Sequence, residues 1–116
     1  MRNDKENLIV KLTLEFALEI VEYSELLEEK KKYVIARQLL KSGTSIGANV
    51  REAQNAESKA DFIHKLKIAT KEADETEYWL MLCEMSKNYP KNELLKEKLK
   101  AIINILSKII STSKTH

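Results

Sequence analysis

Several groups of residues in this chain are of types that could do chemistry. Gly43 and Gly47, the only glycines, lie in "SGTSIGANV", residues 42–50, among two serines, a threonine and an asparagine. In a loop, such a composition presents backbone N–H groups that can cradle an anion. Asp61 and His64 stand three apart, near the carboxylate-x-x-His spacing with which four-helix proteins hold two metal ions. Glu72 and Glu77 are a carboxylate pair of the kind acid–base catalysis uses when the environments separate their pKa values. Cys83 is the only thiol, and Tyr78 and Trp79 are aromatics on which nucleic-acid bases stack.

Each group reads more simply as structure. A phosphate loop of the GxxxxGK[ST] type needs four residues between its glycines and a lysine after the second. Here three intervene, Ala48 and Asn49 follow, and no strand-like segment precedes. A di-metal site needs two carboxylate-x-x-His motifs and two further glutamates, whereas the motif occurs once and the other histidine is the terminal His116. Asp61 reads as a capping acid three residues after Ser58. Glu72 and Glu77 border opposite flanks of one apolar seam with Thr76 inside it. They suit hydrogen bonding or ion pairing to another helix, with Arg37, Arg51, Ser45 and Asn49 as candidate partners. Together, Arg37, Arg51, Glu72, Thr76 and Glu77 could form a buried polar network that fixes register. Cys83 falls in an apolar stripe, where a free thiol acts as a small hydrophobe, and no His/Asn constellation accompanies it. Tyr78 and Trp79 lie in an acidic segment that repels nucleic acid. The expectation is a non-enzymatic protein with no catalytic residue, metal, cofactor or small-molecule substrate.

Composition points to the elements that carry these residues. With 116 residues, the chain suits one domain and one core. A third of it is charged, and it holds one proline and two glycines, which favours long helices. The net charge of +2 is too small to imply a polyanionic partner by itself. The charge is segregated, however: bases dominate 28–41, 59–71 and 85–116, and acids dominate 1–27 and 72–84. Folding could gather the bases into one face, or leave them as ordinary solvated helix surface. The nucleic-acid candidates are Lys59, Lys65, Lys67 and Lys71 with Lys98 and Lys100. One cysteine excludes an internal disulfide and fits a reducing compartment. No run approaches the ~18 apolar residues of a membrane span, and the N-terminus lacks a signal-peptide core. These features predict a cytoplasmic, membrane-free, single domain over 1–116.

Apolar spacings of three and four recur throughout and no strand-like alternation survives. In the first segment Val10, Leu14, Ala17 and Val21 form one stripe, and Ile9, Phe16, Ile20, Tyr23 and Leu27 a second beside it. The pattern breaks at "EEKKK", residues 28–32, although a continuous helix through it stays open. The second segment repeats as Ala36, Leu39, Gly43, Ile46, Val50 and Ala53. The third runs Phe62, Leu66, Ala69, Ala73, Thr76, Leu80 and Cys83, a bundle or coiled-coil period. "KNYPKN", residues 87–92, breaks the chain again, with Pro90 suited to the first turn of a new helix. The fourth stripe is Leu95, Leu99, Ile102, Leu106 and Ile109, and the polar tail "STSKTH" is expected to fray. Helices over about 6–28, 33–56, 59–88 and 91–112 with short connections predict an all-α, antiparallel, up-and-down four-helix bundle.

The glycines then belong to a helix. The phase set by Ala36 and Leu39 passes through Gly43 and Ile46 to Val50 without a slip. Each glycine there costs about 1 kcal/mol relative to alanine, an expense that close approach of another helix can offset. Ser42, Ser45, Asn49 and Glu52 run beside the apolar stripe at the same spacing, so Ser42, Gly43, Ser45, Gly47, Asn49 and Glu52 are the candidate packing and interface residues. With two stripes on the first helix, the apolar surface exceeds what one four-helix core needs, which predicts self-association. The alternative is a wide intramolecular core with a solvated serine face.

"QLLKSGTSIGANVREAQNAESKADFIHKLKIATKEADETEYWL", residues 38–80, resembles the bacterial four-helix-bundle proteins first recognised as products of intervening sequences in 23S ribosomal RNA genes. The resemblance is densest over Ser42–Asn55 and Ser58–Leu80. It rests on Ser45, Asn49, Glu52, Ser58, Asp61, Phe62, Glu72, Glu75 and Glu77. It implies a left-handed bundle that assembles into a ring, typically a homopentamer, and it brings no enzymatic activity. Related proteins of diversity-generating retroelements act as accessory subunits whose basic surface engages RNA or DNA and a reverse transcriptase, the alternative role the resemblance offers. Many relatives carry a proline between the first two helices, where this chain has "EEKKKY".

Overall fold

The computed structural model describes residues 4–115. Residues 1–3 and His116, the ends of the expected domain, lie outside them. The described chain is all-α: α1 spans Asp4–Glu29, α2 Tyr33–Ala53, α3 Lys59–Met85 and α4 Glu93–Thr115, with no strand among the described residues. α1 lies against α2 and α4, α3 lies against the same two, and the backbones of the diagonal pairs stay apart, with no Cα atoms within 8 Å. The result is a rod 48 × 20 × 19 Å.

The heptad stripes become the core. Ala36, Leu39, Gly43, Ile46, Val50 and Ala53 are all buried on α2. Leu66, Ala69, Ala73, Thr76, Leu80 and Cys83 are buried on α3, and Leu95, Leu99, Ile102, Leu106 and Ile109 on α4. Each large aliphatic among them contributes about 1.5–3 kcal/mol relative to exposure. On α1 only one of the two stripes enters. Ile9, Phe16, Ile20, Tyr23 and Leu27 are buried, joined by Thr13, whose hydroxyl donates to the Ile9 carbonyl at 2.8 Å. The other stripe stays at the surface: Leu14 is 59% exposed, Ala17 and Val21 are half-buried, and Val10, also half-buried, packs against the edge of the core.

The turns explain where the helices stop. α1 and α2 are not continuous, because Lys31 adopts φ 65°. The Lys32 N–H donates to Leu27 O and the Lys31 N–H to Glu28 O, which is a Schellman ending with lysine where glycine is usual. α3 begins at a reciprocal cap: Ser58 Oγ accepts from the Asp61 N–H, and Asp61 Oδ2 accepts from the Glu57 N–H.

Several boundaries differ from the sequence-based expectation. α3 ends at Met85 instead of 88, because Ser86 turns to extended backbone. α2 ends at Ala53 instead of 56, since the N–H groups of Gln54, Asn55 and Ala56 turn back to carbonyls only three residues earlier. Pro90 is not in the first turn of α4. That helix starts at Glu93, after Asn92, whose carbonyl accepts from the Lys96 N–H. The tail does not fray through its described part, as α4 continues to Thr115. No breaker interrupts it, and the Thr115 hydroxyl bonds back to Thr112 O.

Candidate functional site

The glycine segment lies between α1 and α3 and is helical throughout. A Cβ built on Gly43 would stand 2.8 Å from Ile20 Cγ2, and one on Gly47 would stand 3.2 Å from the backbone oxygen of Thr13. Both glycines therefore set how close α1 comes. On the other side of α2, Ser42 is fully buried and its hydroxyl lies 2.9 Å from that of Thr76. Thr76 Oγ1 is also 2.7 Å from the Glu72 carbonyl, which can only accept. A hydroxyl has one proton, so Thr76 donates to Glu72 O and Ser42 donates to Thr76. Two small side chains thus satisfy each other in the core, where an unpaired hydroxyl would cost about 1–3 kcal/mol.

The wider charged network is not formed within the chain. Arg37, Arg51 and Glu77 are exposed, Glu72 is half-buried, and none makes an ion pair among the described residues. Ser45 spends its hydroxyl on Lys41 O, and Asn49 spends its amide on Ser45 O. Both bonds stay within α2 and do not cross to another helix. Glu52 pairs with Lys65 of α3 at 3.1 Å, partly exposed.

Two surface features stand out. The first is a groove of about 200 Å³ on the outer side of α1 and α2, lined by Val10, Leu14, Ala17, Gly47, Ala48 and Arg51 among others. It is apolar because the exposed α1 stripe forms one wall, and deep because Gly47 has no side chain. The second is an open basic shelf between α3 and α4, where Lys67, Lys71 and Lys114 stand with Thr70, Ser107 and Ser111. Of the lysines singled out from the sequence, Lys67 and Lys71 meet on this shelf. Lys59 and Lys100 are exposed elsewhere, and Lys65 and Lys98 are tied to Glu52 and Glu19.

One buried cluster had no counterpart in the sequence reading. The Tyr23 hydroxyl donates to Pro90 O at 2.7 Å, and Asn92 Nδ2 donates to Leu80 O at 3.0 Å while lying 3.4 Å from the Tyr23 oxygen. Asn92 directly precedes α4, a signal that could have marked it. Burial pushes the Tyr23 phenol above its usual range, against the opposing pull of the Asn92 hydrogen bond. Burial also raises the Cys83 thiol, which leaves it protonated and a poor nucleophile. This cluster clamps the α3–α4 turn onto α1.

His64 is exposed and Asp61 is used in the cap, and His116 lies outside the described residues. Among the described residues, no group of three or more His, Cys, Asp or Glu is placed to hold a metal ion. Nor is any helix among them long and apolar enough to cross a membrane.

The geometry defines an all-α, four-helix protein whose buried small residues serve close packing. The chain belongs to the 23S rRNA-intervening sequence protein family, whose model matches residues 5–112. It is also similar to the crystal structure of a protein with unknown function from the S23 ribosomal protein family of Bacteroides thetaiotaomicron. That likeness has a TM-score of 0.87 and 46% identity, over 92% of this chain and 98% of that one. No curated protein matches the chain.

Proposed function

We propose that this protein is a non-enzymatic, cytoplasmic helical scaffold that works as a homo-oligomeric ring, with a pentamer favoured by the family resemblance. Its unit is a single antiparallel, up-and-down, left-handed four-helix bundle. Supporting the antiparallel sense, Gly43 and Gly47 meet Ile20 and Thr13 in reversed order, as Ser42 and Glu52 meet Thr76 and Lys65. The seven-residue period favours the left-handed twist. The observation that carries self-assembly is the second α1 stripe, Val10, Leu14, Ala17 and Val21, left only partly covered beside a glycine-floored groove. A surface helix normally buries its apolar stripe, so this one calls for a partner. Light scattering on the purified chain at micromolar concentration tests the reading: a ring gives a multiple of the chain mass, and a monomer overturns it.

A second reading rests on the shelf of Lys67, Lys71 and Lys114, whose ammonium and nearby hydroxyl groups suit phosphate oxygens. In a ring the shelf would repeat, supplying enough charge for an RNA or DNA backbone. This is the role of a retroelement accessory factor that also engages a reverse transcriptase. Binding of this kind is sequence-tolerant and weakens steeply with salt. Failure to retard labelled RNA and DNA at low salt would remove it.

A further inference from the structure

We propose that the α1–α2 groove of one copy receives α3 of the next copy, so that the contact between subunits is head-to-tail instead of two-fold. This rests on the self-assembly reading above and names the two surfaces that meet.

α3 carries a second stripe on its solvent side. Asp74, Tyr78, Met81 and Met85 follow one another by four, three and four residues, the spacing of Val10, Leu14, Ala17 and Val21 on α1. Tyr78 is 57% exposed, Met81 45% and Met85 81%. Large apolar groups repeated at that spacing are how a helix seats itself in a hydrophobic groove. The groove offers the matching negative shape. Its walls include Val10, Leu14, Ala17 and Ala48, and Gly47, with no side chain, leaves room for an apolar group such as that of Met81.

Charge complementarity supports this pairing. Arg51 lines the groove and has no ion-pair partner in its own chain among the described residues. Asp74 and Glu77, just before Tyr78 and Met81, are exposed and equally without one. Groove against α3 gives the arginine a carboxylate, and like charges across an interface are penalised where opposite ones are not. The charged pairs that the single chain leaves apart are then made between chains. A contact joining two different surfaces closes into a ring or runs on as a filament, which is the geometry the proposed scaffold needs.

The test uses two variants at exposed positions, Leu14→Glu in the groove wall and Met81→Glu on α3, each checked for helix content by circular dichroism. Light scattering should find each variant alone at the mass of one chain. Mixed in equal amounts, they should form a one-to-one pair of twice that mass, because the mixture retains one intact groove and one intact α3 stripe that can meet. Arg51→Glu should weaken assembly of the otherwise wild-type chain, and Asp74→Arg added to it should recover assembly. If Leu14→Glu is monomeric while Met81→Glu still assembles, the groove meets itself and the proposal is wrong. If both variants keep the wild-type mass, the interface lies elsewhere while assembly itself stands. A monomeric wild-type chain overturns both readings.

Discussion

α2 and α4 occupy opposite corners of the fold and solve the same packing problem by opposite means. α2 is thin on its contact faces: Gly43 and Gly47 toward α1, Ser42 toward α3. It lies close to both neighbours. α4 is thick, with Leu95, Leu99, Ile102, Leu106 and Ile109 filling the space to α1 and α3, where backbone approaches are sparser. Its flanks are bridged by long side chains, Lys96 to Glu84 and Lys98 to Glu19. The contrast teaches that one heptad period accommodates two interhelical distances, chosen by residue size. α2 should tolerate no added volume, and α4 no lost volume.

The sharpest way to probe that contrast is to hollow the thick side. Ile102→Ala, in a fully packed position, should cost about 2–5 kcal/mol in urea unfolding. On the thin side, Gly43→Val should cost about 1–3 kcal/mol, since its side chain meets Ile20. If Gly43→Val proves neutral, the seam is not size-limited and the comparison fails.

Tyr23→Phe, which cuts the clamp between the sides, should cost about 1–3 kcal/mol because Pro90 O loses its donor. It should also change the alkaline response. Tyr23 and Cys83 hold their protons more tightly when folded than when unfolded. Their contribution is therefore complete below the unfolded values and declines as pH rises above about 9. Unfolding midpoints measured from neutral to alkaline pH should fall less steeply in Tyr23→Phe. Lys31→Gly should stabilise by roughly 0.5–1 kcal/mol, as glycine adopts positive φ without the penalty lysine bears. Lys98→Ala should shift stability by under about 1 kcal/mol, its ion pair being solvent-accessible.

Much of this was legible in the sequence, for a physical reason. Burial along a helix follows a period, and Leu39, Ile46, Leu66 and Leu106 declare it locally. Thr13 was legible too, sitting in phase between Ile9 and Phe16, but its polarity hid it. What the sequence did not disclose depends on side-chain reach between distant residues. Tyr23 and Asn92 meet across 69 positions, and nothing in either neighbourhood marks the other. The charges at Arg37, Arg51, Glu72 and Glu77 suit pairing to another helix by their types, yet their placement outside the seam is a matter of rotation about the helix axis. Of the two α1 stripes, the sequence could not say which faces inward, because each is apolar and evenly spaced.

The thin face of α2 has a consequence for how the chain acquires its shape. Residues 42–50, with two glycines, two serines, a threonine and an asparagine, are poor helix formers on their own. α1 and α4, rich in leucine, isoleucine, glutamate and lysine, carry stronger local preference. α2 is thus a conditional helix, whose winding is supplied by the neighbours that close on it. During synthesis it should remain unwound until α3 has emerged to join α1, which makes this stretch the point where a protease would find the growing chain open.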